Sequence, residues 1–275
     1  MENFRLNNGI KIPCIGLGTF PMVGEELRLA VKTASSMGYT LFDTASAYRN
    51  SEDLNISFKE NFKSRDEFFV TTKLSNTDQN RGNVREALKR TLGYLGLEYV
   101  DLYLMHWPNP GTYIECYKQM EEVYKEGLTK AIGVCNFKEH HLDNLLANTT
   151  IVPAVNQIEM HPLLSQPSLV EYCKDKGILI ESYTPFARMD KRLFENKVLK
   201  RLAVKYSKKV TQIILRWNYQ HGFIAIPKSS NYERQLENIN IFDFQIDDED
   251  MLKIDSLNEN YRVRYDSDNC DFTKL

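Results

Sequence analysis

The segment LFDTASAY (41–48) decides how this chain is read. Its apolar start and Asp-Thr end describe a strand running into a loop. Side chains on a strand alternate between faces, so Asp43 shares a face with Leu41, and Tyr48 follows on the loop. A carboxylate that faces a core needs a partner, because an unpaired buried charge is costly. The next apolar segment, FFVTTK (68–73), ends in a cation, Lys73, on the face of Phe69 and Thr71. One segment later VDLYLMH (100–106) ends in His106, on the face of Leu102 and Leu104. Three consecutive strands thus each end in a polar residue that points with the core residues. That pattern is expected where the core of a barrel opens into a site.

Working outward, strands and helices alternate along the chain. Short apolar strands are expected at 14–19, 40–45, 68–73, 100–106, 131–136, 153–159, 178–183 and 223–228. After the first comes a helix over 25–37, with Leu27, Ala30, Val31 and Ala34 on one stripe and Gly38 as its stop. A polar, weakly patterned helix follows over 51–63, and Val84, Leu88, Thr91, Leu92 and Leu95 mark a clearly amphipathic one. Further helices run from Tyr113 to a stop at Gly127, through Leu142, Leu145 and Leu146, and from Pro167, suited to a first turn, to Gly177. The last lie over 197–206, 210–221 and 231–239. Ahead of all this, residues 4–6 and 10–13 read as a hairpin turning at Asn8-Gly9.

Alternating strands and helices imply a parallel sheet, either open and doubly wound or closed. A doubly wound nucleotide-binding sheet carries G-x-G-x-x-G after its first strand. Gly16 and Gly18 begin that pattern, but Pro21 stands in place of the third glycine. Eight strand-then-helix units fit a (β/α)8 TIM barrel closed at its base by the N-terminal hairpin. With no linker or low-complexity tract, residues 1–275 are expected to form a single domain.

Composition narrows the function classes. The 42% hydrophobic and 26% charged content is that of a soluble globular chain, and the net charge of −2 gives no sign of a nucleic-acid partner. Cys14, Cys116, Cys135, Cys173 and Cys270 are scattered and lack C-x-x-C spacing, so they read as reduced thiols of a cytoplasmic protein. The histidines show no metal-ligand spacing, and His140 and His141 are expected to point apart on a helix, so no metal is expected. No apolar run is long enough for a membrane span. A monomer is the expectation.

The strand ends then carry a resemblance. GLGTF (16–20), FDTASAY (42–48), TTK (71–73), MHWP (105–108), GVCNF (133–137), NQIEMHP (156–162) and IPKS (226–229) occur in the order of the aldo-keto reductase family. The chain resembles that family almost end to end. The resemblance implies a catalytic tetrad of Asp43, Tyr48, Lys73 and His106 and an NADPH cofactor that reduces a small carbonyl substrate. Tyr48 would donate the proton, its acidity raised by the Lys73 ammonium. Asp43 would hold and balance Lys73, and His106 would orient the carbonyl oxygen. By position, Thr19, Asp43, Cys135, Asn136 and Gln157 would meet the nicotinamide end of the cofactor and Tyr183 would stack on its ring. Lys228, Ser229 and Arg234 would grip the 2′-phosphate, and Glu237 and Asn238 would contact the adenine.

Some positions depart from the family pattern. Cys135 stands where serine is usual, and a thiol is the weaker donor. Phe20 takes a position often filled by tryptophan. A short loop after His106 and a short tail over about 260–275 resemble the compact microbial members, such as diketogluconate and glyoxal reductases. They imply an open pocket lined by Phe20, Tyr48, His106 and Trp107.

Taken singly, each residue also has a plainer reading. Asp43 with Lys73 can be a structural ion pair, Tyr48 a loop aromatic, His106 a hydrogen-bonded barrel histidine, and Tyr183 and Trp107 rim packing. Lys228 and Arg234 can be a solvated face. Glu159 and Glu181 have no role in the resemblance and read as members of structural ion pairs. Two further classes remain at this point: a hydrolase using Asp43, Glu159 or Glu181 as acid and base, and a non-catalytic NADP-binding barrel serving as a subunit or structural protein.

Overall fold

A computed structural model describes residues 2–272. The chain opens with β1 (Asn3–Arg5) and β2 (Lys11–Pro13), antiparallel, with Phe4 opposite Ile12. Gly9 takes a φ of 89° in the turn, a left-handed backbone that glycine adopts without a Cβ clash. Eight parallel strands follow in chain order: β3 (Leu17–Gly18), β4 (Leu41–Asp43), β5 (Phe69–Leu74), β6 (Leu102–Met105), β7 (Ile132–Cys135), β8 (Val155–Glu159), β9 (Leu179–Tyr183) and β10 (Ile224–Ala225). Ile15 bridges to Ala225, the Gly16 N–H donates to the Ala225 carbonyl at 2.9 Å, and the Ala225 N–H donates to that of Cys14 at 3.0 Å. These bonds close the sheet into the expected barrel.

The helices are α1 (Gly24–Ser36), α2 (Ser51–Asn61), α3 (Asn76–Arg81), α4 (Val84–Leu95), α5 (Tyr113–Lys125), α6 (Glu139–Asn148), α7 (Pro167–Asp175), α8 (Lys191–Phe194), α9 (Lys197–Lys205), α10 (Val210–Gln220), α11 (Tyr232–Ile239) and α12 (Asp248–Asp255). Among the described residues none is long and apolar enough to cross a membrane. The strand alternation divides the core in two. Leu41, Phe69, Leu102 and Leu104 face the barrel interior, with Leu6 and Ile12 of the hairpin segment plugging its base. Phe42, Val70, Tyr103 and Met105 face the helices.

Three short helices, α3, α8 and α12, lie where the sequence carries no strong apolar period. The tail after α12 is more structured than its composition suggests. It returns over the rim, where the Tyr261 N–H donates to the Leu163 carbonyl at 3.0 Å. The Val263 and Arg264 N–H groups donate to the buried Glu159 carboxylate at 2.7 and 3.0 Å. Lys138 pairs with Asp266 and Asp268 at 2.6 and 2.7 Å.

His140 and His141 do not point apart. Their ring centroids are 4.0 Å apart, and their Nε2 atoms lie 3.2 and 3.8 Å from Asp268 Oδ1. Both stand in the first turn of α6, where the Lys138 N–H donates to His141 Nδ1 at 3.2 Å and turns that ring back beside its neighbour. The ligand atoms of these three residues lie within 4.8 Å of one another, a grouping that linear spacing conceals. Because Nδ1 of His141 accepts, Nε2 carries the proton of the neutral ring and faces Asp268 without a direct hydrogen bond at 3.8 Å. The trio therefore acts as a clasp on the tail.

Two glycines test this account of closure. A methyl at Gly18 would stand 2.7 Å from the Ile226 carbonyl oxygen across the seam, whereas one at Gly93 in α4 would meet open space. Gly18→Ala is expected to cost about 1–3 kcal/mol as overpacking against backbone. Gly93→Ala is expected to add up to about 1 kcal/mol by helix propensity. Urea unfolding of both variants checks the opposite signs.

Candidate active site

The C-terminal ends of the strands gather the polar residues singled out in the sequence. Parallel register sets Asp43 beside Thr71 and Gly18, Lys73 beside Leu104, and Cys135, Gln157 and Glu181 side by side. Lys73 is 1% exposed. Its ammonium donates to both oxygens of Asp43 at 2.7 Å and to the Thr44 carbonyl at 2.9 Å, so all three protons are used. Burial alone would lower the Lys73 pKa, but the Asp43 charge more than reverses this and leaves the ammonium firmly charged.

Tyr48 sits on the loop above, its ring centroid 5.2 Å from the Lys73 Nζ, 4.9 Å from the Phe20 ring and 6.0 Å from that of His106. The expectation of a net acidified phenol needs correction. Burial raises the Tyr48 pKa, the Lys73 charge opposes it, and the outcome lies above the ordinary value. The phenol is held protonated. His106 is pushed down to about 3, first by burial and then by the charges of Lys73 and Arg264, so its imidazole is neutral.

Beside this trio lies a connected amide ledge. Asn136 donates to the His106 carbonyl at 3.1 Å and accepts from the Tyr183 hydroxyl at 2.7 Å. Gln157 donates both amide protons, to Asp43 and to Glu181, each at 2.8 Å. Cys135 is buried in the barrel interior, and burial holds its thiol pKa well above the ordinary range. Thr19 donates to the Asp43 carbonyl at 2.8 Å and accepts from Asn50 at 3.1 Å. Phe20 is 52% exposed at the mouth, whereas Trp107, expected to line an open pocket, is only 5% exposed.

The residues assigned to the adenosine end lie together on the loop after β10 and on α11. Lys228 pairs with Glu26 at 3.3 Å, and Ser229 is buried. Arg234 is exposed and has no ion pair among the described residues, while Glu237 is half-buried and Asn238 buried. No linear pattern announces what fixes this group. Gln235 is fully buried and donates to the carbonyls of Ala30 and Ser229 at 3.0 and 2.8 Å, tying α11 to α1. Asn50 does the same for the Tyr48 loop, accepting from Thr44 at 2.6 Å and donating to Thr19 and the Met22 carbonyl.

The two carboxylates without a role separate. Glu159 is a structural pair as expected, bonded to His161 at 3.0 Å and to the tail. Glu181 is not an ion pair. It touches Gln157, its second oxygen has no partner among the described residues, and burial together with the Asp43 charge pushes it up to about 8. Lys73 cannot serve it, because its protons are already committed.

A nicotinamide dinucleotide fits this donor set. The Asn136 and Gln157 amides and the Tyr183 hydroxyl are linked by hydrogen bonds to His106 and Asp43, and a guanidinium with no ion pair among the described residues stands with a neighbouring lysine at the rim. The chain matches the Aldo/keto reductase family over residues 14–259. It is 44% identical over 263 residues to a glyoxal reductase of Bacillus subtilis, covering 95% of each chain. It is 42% identical over 266 residues to the methylglyoxal reductase DkgA of Escherichia coli K12, covering 96% of each. It also superposes on the crystal structure of the silkworm (Bombyx mori) aldo-keto reductase AKR2E5 complexed with NADPH, with a TM-score of 0.91, 36% identity and coverage of 96% and 90%. Sequence, closed barrel and strand-end residues agree, and the chain belongs to the aldo/keto reductase family.

Proposed function

We propose that this protein reduces small aldehydes and ketones, dicarbonyls among them, to alcohols with NADPH, and that Tyr48 supplies the proton. One observation carries the reading: a protonated phenol stands against a fully buried ammonium and a neutral imidazole at the mouth of the barrel. The relatives named above, a glyoxal and a methylglyoxal reductase, support the substrate class. Bound NADPH supplies the hydride. The protein's own residues do the rest.

As hydride reaches the carbonyl carbon, the oxygen becomes an alkoxide and needs a proton. Tyr48 gives its hydroxyl proton, and the phenolate left behind is stabilised by Lys73. Asp43 keeps Lys73 charged and in place, so the cation is preorganised and need not move during the step. Neutral His106 keeps one ring N–H to donate to the carbonyl oxygen. Asn136, Gln157 and Cys135 would hold the carboxamide of the bound nicotinamide, and Tyr183 would support its ring. A carboxylate hydrolase needs two working carboxylates facing a substrate. Here Asp43 is bound on both oxygens, Glu159 is engaged by the tail, and Glu181 lies beneath Gln157.

Tyr48→Phe removes the hydroxyl and keeps the ring. Steady-state assays with methylglyoxal should show kcat down by ~10²–10⁴, the size of a general-acid contribution. NADPH affinity, read by fluorescence titration, should change little. Retention of most activity would overturn the proton assignment.

Arg234→Met keeps much of the stem and removes the charge. The 2′-phosphate is the sole difference between NADPH and NADH, and Arg can fork its oxygens. Arg234 is exposed, so solvent screening limits the effect to about tenfold to a hundredfold in the NADPH dissociation constant. NADH binding should hardly move. Equal losses for both cofactors would place Arg234 away from the phosphate.

A further inference from the structure

The tail that crosses the rim carries two arginines with different surroundings. Arg262 is engaged, 3.8 Å from Glu159, 3.7 Å from Asp266 and 3.1 Å from the Gln166 side-chain oxygen. Arg264 has no carboxylate partner among the described residues, and its guanidinium lies 5.5 Å from the Tyr265 ring centroid. Glu159, the nearest carboxylate along this path, takes the Arg264 backbone N–H and is satisfied by Val263, His161 and Arg262. The Arg264 cation is therefore not needed to hold the tail.

Its position is fixed relative to the catalytic group. Glu159 ends β8 directly opposite Tyr183 on β9. Tyr183 bonds Asn136, and Asn136 bonds the His106 carbonyl. The backbone of Arg264 is pinned at the start of this chain, so its side chain leaves the rim on the side of the site that carries Tyr183 and Asn136. Its charge is felt there, since it contributes to lowering the His106 pKa and acts on Tyr183. An unpaired, part-buried guanidinium next to a reacting carbonyl is a site for a carboxylate, which it can meet with two parallel hydrogen bonds.

We infer that Arg264 forms an anion subsite at the mouth of the active site, and that the protein favours aldehydes and ketones bearing a carboxylate over uncharged ones of similar size. This rests on the carbonyl-reductase reading above. No new bond is made by the subsite; it binds the far end of the substrate while the carbonyl faces Tyr48 and His106.

The test compares carboxylated and uncharged aldehydes on the wild-type enzyme and on Arg264→Gln and Arg264→Lys. Succinic semialdehyde is paired with butanal, and 4-carboxybenzaldehyde with 4-methylbenzaldehyde. The wild type should favour the acid of each pair in kcat/KM, and added salt should shrink that preference. Arg264→Gln should cut the acid-to-neutral ratio by about tenfold to a hundredfold, as expected for loss of a charge-assisted contact. Arg264→Lys should restore part of it. An unchanged ratio in Arg264→Gln would overturn the subsite. So would a rise in the NADPH KM equal for every substrate, which would assign Arg264 to the cofactor. No turnover of any aldehyde by the wild type would instead defeat the reductase reading, a distinct failure.

Discussion

An ammonium with no exposure to water cannot stay charged in a barrel core unless a carboxylate is held against it. Lys73 meets that condition only because β4 and β5 run parallel in a register that carries Asp43 and Lys73 to the same end and face. The pair has one geometry in which both Asp43 oxygens and the Thr44 carbonyl are reached at once. Removing one partner of a buried pair typically costs about 3–5 kcal/mol, because the other charge is left alone. The register of the first barrel strands and the position of the Tyr48 loop are thus bound to the same contact. Fold and chemistry share it.

The second carboxylate of the interior follows from this. One cation is available to Asp43 and Glu181, and Asp43 takes it with both oxygens. Gln157 bridges the two acids by donating one proton to each. With its pKa raised to about 8, Glu181 holds a proton through neutral pH and adds no net charge. Lys73 with Asp43 is then close to neutral as a unit, and the phenol of Tyr48 stays protonated above it. A donor that keeps its proton until the carbonyl oxygen turns basic suits reduction. In the proposed reduction the buried cation would act by stabilising the phenolate that forms, not by ionising the phenol beforehand.

Much of this was legible in the sequence because it depends on local period. The alternation within LFDTASAY, FFVTTK and VDLYLMH assigns Asp43, Lys73 and His106 to the interior face, and the structure places Leu41, Phe69, Leu102 and Leu104 there with them. Eight apolar runs separated by amphipathic ones then leave few topologies. What was not legible depends on distant contacts. Glu159 meets backbone more than a hundred residues later in the chain, at Val263 and Arg264, and no period announces it. Gln235 anchors the loop after β10 by reaching α1, over two hundred residues earlier. His141 turns back because of a backbone N–H at Lys138, a capping effect that outweighs the helical spacing from which divergence was expected. Trp107 sits next to His106 in the chain, and its 5% exposure is a matter of packing that no linear pattern announces.

The site therefore has two ends with different physics. At the catalytic end the groups are buried, so charge acts strongly and must be balanced within the fold. At the rim Lys228 and Arg234 are wet, any attraction they would exert on a phosphate is screened, and the loop that carries them is placed by uncharged contacts such as those of Gln235. Arg264 stands between these regimes. It is close enough to the half-buried imidazole of His106 to affect its titration, yet it lies on a segment whose hold comes from Glu159, Lys138 and the two histidines instead. Because the anchoring charges are separate from the guanidinium, that residue is free to vary without loosening the tail. A strap fixed by a buried carboxylate at one point can thus present different side chains to the substrate while the barrel beneath it stays the same.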